Sequence, residues 1–195
     1  MEQSNYMDPL AKLFGSAARL KLLRLFIFNE DTQLTLAEAA TRTRVPKDAA
    51  RKEINALVTA GVLKKKTGKA PLLFSVNKKF AYFDPLSIFL RDTTSVSDGG
   101  IVSALKKAGS LRLVVLTGLF TNVLESKIDI LVVGDKLEDR PLESAIHMLE
   151  AELGRELRYA AFTTMDFRYR VGVYDRLIRD VMDYPHRAIL DKIGI

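Results

Sequence analysis

The chain has 195 residues, 48% of them apolar and 28% charged, with a formal net charge of +6 and no cysteine. This is the composition of an ordinary globule long enough for two small domains, and it excludes wholesale disorder, a disulfide framework, cysteine–zinc sites and thiol chemistry. The longest apolar run, Leu111 to Phe120, contains Arg112 and is too short to cross a membrane, and Met1 to Pro9 does not read as a secretory signal, so the expected compartment is the cytoplasm.

Leu10 to Phe28 carries Leu10, Leu13, Phe14, Ala17, Leu20, Leu23 and Ile27 at three–four spacing, which predicts an amphipathic helix entered through Asp8 and Pro9. Thr35 with Glu38 three residues on has capping-box spacing and predicts a short second helix to Thr41. After a tight connection, Arg42 to Val45, a third helix starts near Pro46, places Ala50, Ile54, Leu57 and Val58 on one face and stops at Gly61. Val62 to Lys66 and Leu72 to Val76 read as two strands joined by Thr67, Gly68, Lys69, Ala70 and Pro71.

A short turn before the last of three helices, then a hairpin, is the plan of a winged helix-turn-helix whose third helix enters the DNA major groove. The helical wheel sets Asp48, Ala49, Lys52, Asn55 and Thr59 opposite Ile54, with Arg51 on the flank and Ala49 small enough for close approach. Arg and Lys donate to guanine and Asn pairs with adenine, so Arg51, Lys52 and Asn55 are the base-reading candidates. Arg42, Arg44, Lys47, Lys64, Lys65, Lys66 and Lys69 are placed to neutralise phosphates. The charge agrees: residues 1–95 hold 16 Lys/Arg and 9 Asp/Glu, net +7, whereas residues 96–195 hold 14 and 15, net −1. Such an asymmetry points the first half at a polyanion, double-stranded DNA.

The segments FGSAARLKLLRLFIFN, LTLAEAATRTRVPKDAARKEINALVTAGVLKKK and FSVNKKF resemble the arsenic-repressor-like winged-helix regulators, over Leu10 to about Asp92. The resemblance implies a homodimer on a palindromic site and a helix after the hairpin, for which Asp84, Pro85, Leu86, Ile88, Phe89 and Leu90 provide. Pro46 departs from the family by standing where a capping Ser or Thr is usual. The cysteines and histidine clusters of the metal-sensing members are missing, so no metal is expected.

Beyond a linker at Thr93 to Gly100, the second half alternates: a helix over Ile101 to Ala108, a strand over Leu111 to Thr117, a strand over Ile128 to Val133, a helix over Pro141 to Leu153, a strand over Leu157 to Phe162, then helix from Asp166 to Met182 and beyond. That order predicts a small α/β domain. Thr117-Gly118-Leu119 followed by Lys127-Ile128-Asp129 resembles the minimal nucleotidyltransferase domain of the polymerase-beta superfamily, as does the tail LGRELRYAAFTTMDFRYRV with DRLIRDVMDYPHRAIL. The family's Gly-Ser pair grips nucleotide phosphates, and two carboxylates one residue apart share a strand face so that both reach catalytic metal. Here the serine position is Leu119 and the first carboxylate position is Lys127. Only Gly118 and Asp129 remain, as remnants of a nucleotide site.

Lys127 beside Asp129 suggests an ion pair between them, and Glu125 cannot substitute, because four strand residues span ~13 Å while paired metals lie ~3.5–4 Å apart. The third strand offers no carboxylate, with Glu156 at its edge. No catalytic residue, cofactor or metal is therefore expected. Arg168, Arg170, Arg176 and Arg179 read as a solvated helix face, with a nucleotide phosphate or a partner's acidic surface as the functional alternative. His147 and His186 have no partner cluster and read as surface residues.

The expectation is a two-domain α+β protein: a winged helix-turn-helix over 1–95 and a degenerate nucleotidyltransferase-like domain over 96–195. Its function would be that of a cytoplasmic DNA-binding transcriptional regulator whose second domain senses, dimerises or docks a nucleotide or protein partner, with no membrane association. An active nucleotidyltransferase and an antitoxin-like component are the alternatives.

Overall fold

A computed structural model describes residues 9–66, 71–123 and 125–194. Two compact units divide the chain, one taking it up to Ser95 together with Glu150–Arg155, the other Val96–Leu149 with Glu156–Ile195.

In the first unit the apolar spacing of Leu10 to Phe28 builds helix in two pieces, α1 (Pro9–Leu13) and α2 (Ala17–Phe28). The single helix expected there is broken because Gly15 takes a left-handed φ of 76° and the Ser16 side chain, as N-cap, accepts from the Arg19 amide at 3.2 Å. A short strand, β1 (Leu34–Thr35), leads into α3 (Leu36–Thr43). The capping box forms as spaced: the Thr35 amide donates to Glu38 Oε2 at 2.7 Å and the Glu38 amide to Thr35 Oγ1 at 3.2 Å. The chain turns through left-handed Arg44, Val45 and Pro46 into α4 (Lys47–Thr59), where Pro46 gives no side-chain cap, and leaves through Gly61 at φ 78°.

Strands β2 (Leu63–Lys66) and β3 (Leu73–Val76) then pair antiparallel from Leu63 opposite Val76 to Lys66 opposite Leu73. β1 joins the far side of β3, giving the order β1-β3-β2, and α5 (Phe83–Thr93) follows. Leu20, Phe26, Ile54, Leu57, Phe74 and Leu90 lie in one buried cluster, so α2, α4, α5 and the small sheet share a core.

Residues 150–155 join this unit, although composition marks a boundary only near residue 95. Their attachment is polar and close-packed. Arg24 Nη1 donates to the Glu152 carbonyl at 3.1 Å, Asn29 Nδ2 to the Gly154 carbonyl at 2.8 Å, and Lys21 pairs with Glu152 at 2.6 Å. Gly154, at φ 71°, lies against α2 so tightly that a Cβ would stand 2.6 Å from the Arg24 backbone. The linker is also shorter than expected, since α5 runs through Thr93 and the next helix begins at Asp98.

The second unit contains α6 (Asp98–Leu105) with a 3₁₀ turn behind it, β4 (Ser110–Leu116), a 3₁₀ turn Gly118–Phe120, β5 (Ile130–Asp135), and α7 (Asp139–Leu153), whose last residues belong to the first unit. β6 (Tyr159–Phe162), α8 (Thr164–Gly172), α9 (Arg176–Asp183) and β7 (Arg187–Asp191) complete it. The sheet order is β6-β5-β4-β7, with β5 and β6 parallel and the other pairs antiparallel. Leu113 to Leu116 and Ile130 to Val133 are buried without alternation, as in strands covered on both faces. Phe167, Ile178 and Val181 from α8 and α9 pack on one of those faces.

The tail corrects the sequence expectation of continuous helix. It breaks at Val173–Asp175, where Tyr174 is left-handed (φ 55°) and Asp175 caps α9 by accepting from the Leu177 and Ile178 amides, and it ends as a strand paired to β4. None of the described helices is long and apolar enough to cross a membrane.

Candidate nucleic-acid interface

The period of α4 decides what it offers to solvent. Ala50, Glu53, Ile54 and Leu57 are buried, while Lys47, Asp48, Arg51, Lys52, Asn55 and Thr59 are exposed along the other side. Ala49 departs from expectation: it is half-buried and packs on the core, so it does not belong to the open face. Arg51 Nη1 lies 3.0 Å from Asp48 Oδ1, an exposed pair of the kind that contributes little to stability. Lys47 and Lys52 make no ion pair among the described residues.

Arg42 is half-buried in the last turn of α3 and Arg44 is exposed at its left-handed C-cap. β2 is an edge strand, buried only at Leu63, so Lys64, Lys65 and Lys66 all reach solvent. Lys69 lies outside the described residues.

Glu53 is the residue that sequence reasoning missed. It falls on the buried side of α4, three residues after Ala50, and its carboxylate accepts from Arg19 Nε at 2.7 Å. Arg19 also donates to the Phe14 carbonyl at 3.0 Å, so one guanidinium ties the α1–α2 turn to the middle of α4. The signal available was a glutamate inside an apolar stripe.

In the second unit Gly118 and Asp129, both singled out from the sequence, lie against one another. Asp129 is 3% exposed and stands just before β5, not within it, so Lys127 and Asp129 do not share a strand face as the family's motif requires. The Leu119 amide donates to Asp129 Oδ1 at 2.8 Å, the Arg158 amide to Oδ2 at 2.9 Å, and the Arg158 guanidinium to both oxygens, at 2.9 and 3.1 Å. Gly118 must be glycine: its φ is 53°, and a Cβ would collide with the Asp129 carboxylate and stand 2.8 Å from the Ile128 carbonyl.

Burial pushes the Asp129 carboxyl up, but the bonds from Arg158 and Leu119 outweigh it and hold the group below the ordinary carboxylate value. The expected Lys127–Asp129 ion pair is not formed. Lys127 pairs instead with Asp180 of α9 at 2.6 Å, because Asp129 is turned inward to the Arg158 side chain. Four donors already occupy the two oxygens of Asp129, leaving the carboxylate engaged within the fold.

Among the other residues singled out, Arg170 is held by Asp166 and Asp175 at 3.1 and 3.0 Å and lies over the Phe162 ring. Arg168, Arg176 and Arg179 are exposed, as are Glu125, Glu156 and both histidines. The ring of His186 lies 2.9 Å from the Tyr184 carbonyl.

No family model matches the chain. No curated protein matches it either. Among solved structures, reduced HlyU from Vibrio cholerae N16961 is similar at 16% identity and a TM-score of 0.34, over 43% of this chain and 82% of that one. A likeness of that size carries no argument about this chain.

Proposed function

We propose that the first unit is a winged helix-turn-helix that binds double-stranded DNA and that the protein is a cytoplasmic transcriptional regulator acting as a homodimer. One observation carries the reading. The open face of α4 presents Lys47, Arg51, Lys52 and Asn55, and the lysines of β2 stand exposed in the same unit, where all of the chain's excess positive charge resides. A helix whose buried stripe is backed by α2 and whose opposite stripe carries base-reading side chains suits the major groove, and three adjacent lysines on a hairpin suit phosphates.

In this reading Arg51, Lys52 and Asn55 read base edges, while Arg42, Arg44, Lys47, Lys64, Lys65, Lys66 and Lys69 neutralise phosphates. The second unit is a nucleotidyltransferase-like frame without the transferase's metal site, since its remaining aspartate serves Arg158 and the Leu119 amide. It acts as a sensing, dimerising or docking module.

Binding of labelled genomic fragments across a salt series tests the proposal. Retention of a subset of fragments at moderate salt is expected, and no binding to any fragment at low salt would remove the DNA-binding reading.

A further inference from the structure

α7 is divided between the two units. Leu142, Ala145, Ile146 and Leu149, at the three–four spacing of a core-facing helix, are buried in its second-unit part, and from Glu150 on the chain belongs to the first unit. That last turn and the two residues after it meet α2. Lys21 holds the Glu152 carboxylate at 2.6 Å, Arg24 Nη1 donates to the Glu152 carbonyl, and Asn29 Nδ2 donates to the Gly154 carbonyl. The Arg155 guanidinium lies over the Phe28 ring, 4.6 Å from its centre.

Arg24 is the hub of this attachment. It is 2% exposed, and its Nε donates to Thr94 Oγ1 at 2.9 Å, so α2, the end of α5 and the 150–155 segment share one buried guanidinium. Gly154 seals the seam, since any Cβ there would strike the backbone of Arg24.

The segment does not hold its own shape. A single helical turn has no nucleus, so residues 150–153 are helical as the continuation of α7. The Gly154 amide closes that turn by donating to the Glu150 carbonyl at 2.7 Å, and the Glu152 carbonyl is one of those that a helix end leaves open for other donors. If the second-unit part of α7 loses its packing, the turn unwinds and α2 loses both carbonyl acceptors. One of them serves a guanidinium in the interior, where losing an acceptor is costly.

α2 passes the effect on. It also carries Arg19, whose Nε donates to Glu53 of α4, and its Leu20 and Phe26 share a buried cluster with Ile54 and Leu57 of α4.

We infer that residues 150–155 are a strap through which the second unit sets the stability of α2 and, with it, the hold on α4. An event that unfolds or distorts α7 in the second unit releases the strap and weakens binding by the first. The coupling is independent of what α4 binds, whereas its consequence for DNA rests on the function proposed above.

Hydrogen exchange of the α2 amides in the full chain tests the strap. Leu131→Asp with Val132→Asp puts two charges into fully buried β5 and unfolds the second unit. The α2 amides should then exchange about tenfold or more faster. Gly154→Val, which forces the segment off α2, should speed them by a similar factor while β5 stays protected. Lys21→Ala with Arg155→Ala, which loosens the strap without a clash, should act in the same direction to a smaller extent. In the Leu131→Asp/Val132→Asp background neither strap variant should add anything, because the strap is already released. Affinity for duplex DNA should fall about tenfold with the second unit unfolded and in Gly154→Val. Any of three results would overturn the inference: α2 protection untouched by unfolding of the second unit, strap variants acting undiminished in that background, or equal DNA affinity throughout. An intact chain that binds no DNA would remove the reading of α4 alone, since exchange decides the strap without DNA.

Discussion

The guanidinium of Arg158 grips both carboxylate oxygens of Asp129, at 2.9 and 3.1 Å, while the Arg158 amide donates to the same carboxylate at 2.9 Å. The Asp129 amide in turn donates to the Arg158 carbonyl at 2.7 Å, so the two residues close the starts of parallel β5 and β6 from both sides. Replacing Asp129 with Ala strands the Leu119 and Arg158 amides and should destabilise the second unit by about 2–3 kcal/mol. Arg158→Ala removes a half-exposed partner and should cost less, and denaturant titration of both variants measures the order.

The same pair gives a pH dependence. Because the folded carboxyl titrates below its ordinary value, its contribution is present in full above that value and is lost as pH falls through the lower, folded one. Stability of the second unit should therefore decline as the medium is acidified below about pH 4. Asp129→Asn should flatten that decline, and an unchanged slope would show that another group sets it.

Arg19 and Glu53 hold α4 against the α1–α2 turn through a bond of 2.7 Å in which Glu53 is buried and Arg19 partly exposed. Glu53→Ala should cost about 2–3 kcal/mol, since it leaves the guanidinium without its carboxylate and opens space under α4. The pair Arg19→Met with Glu53→Leu should recover most of that loss, because an apolar pair of similar volume needs no desolvated charge. A double-mutant cycle with independent, additive costs would contradict the coupling.

Asp48 is the acid on the open face of α4, where it engages Arg51 at 3.0 Å. A phosphate or base that takes Arg51 must displace it. Asp48→Asn should tighten binding to DNA of any sequence by a few-fold while leaving stability nearly unchanged, as expected of an exposed pair. Fluorescence anisotropy on specific and random duplexes decides the point, and weaker binding would mean that Asp48 itself holds the productive geometry.

What could be read from the sequence was what is local in the chain. The Thr35–Glu38 box, the Ile54 stripe and the stop at Gly61 are set by neighbours within a helical turn, and the structure has each of them. The break at Gly15 was hidden because the apolar spacing continues across it, and only the capping hydroxyl of Ser16 marks it.

Partners far apart in sequence were not legible. Arg158 lies 29 residues from Asp129 and Glu53 lies 34 from Arg19, and no spacing rule joins them. Lys127 looked like the partner of Asp129 through proximity alone, whereas the strand begins later, at Ile130, and Asp180 takes the lysine. β7 is short and follows a helical stretch, and its strand state comes from pairing with β4.

In the proposed function α4 and the β2 lysines meet DNA in different capacities. The direct measurement is affinity against salt for a selected duplex and a random one, with the intact chain, Arg51→Ala/Lys52→Ala and Lys65→Ala. The intact chain should bind the selected duplex about a thousandfold or more tighter than random DNA, with log affinity falling linearly against log salt. Lys65→Ala should weaken both duplexes alike and reduce the slope by about 1, whereas the double variant should abolish the preference. Salt-insensitive affinity, or a preference untouched by loss of Arg51 and Lys52, would contradict that division of roles.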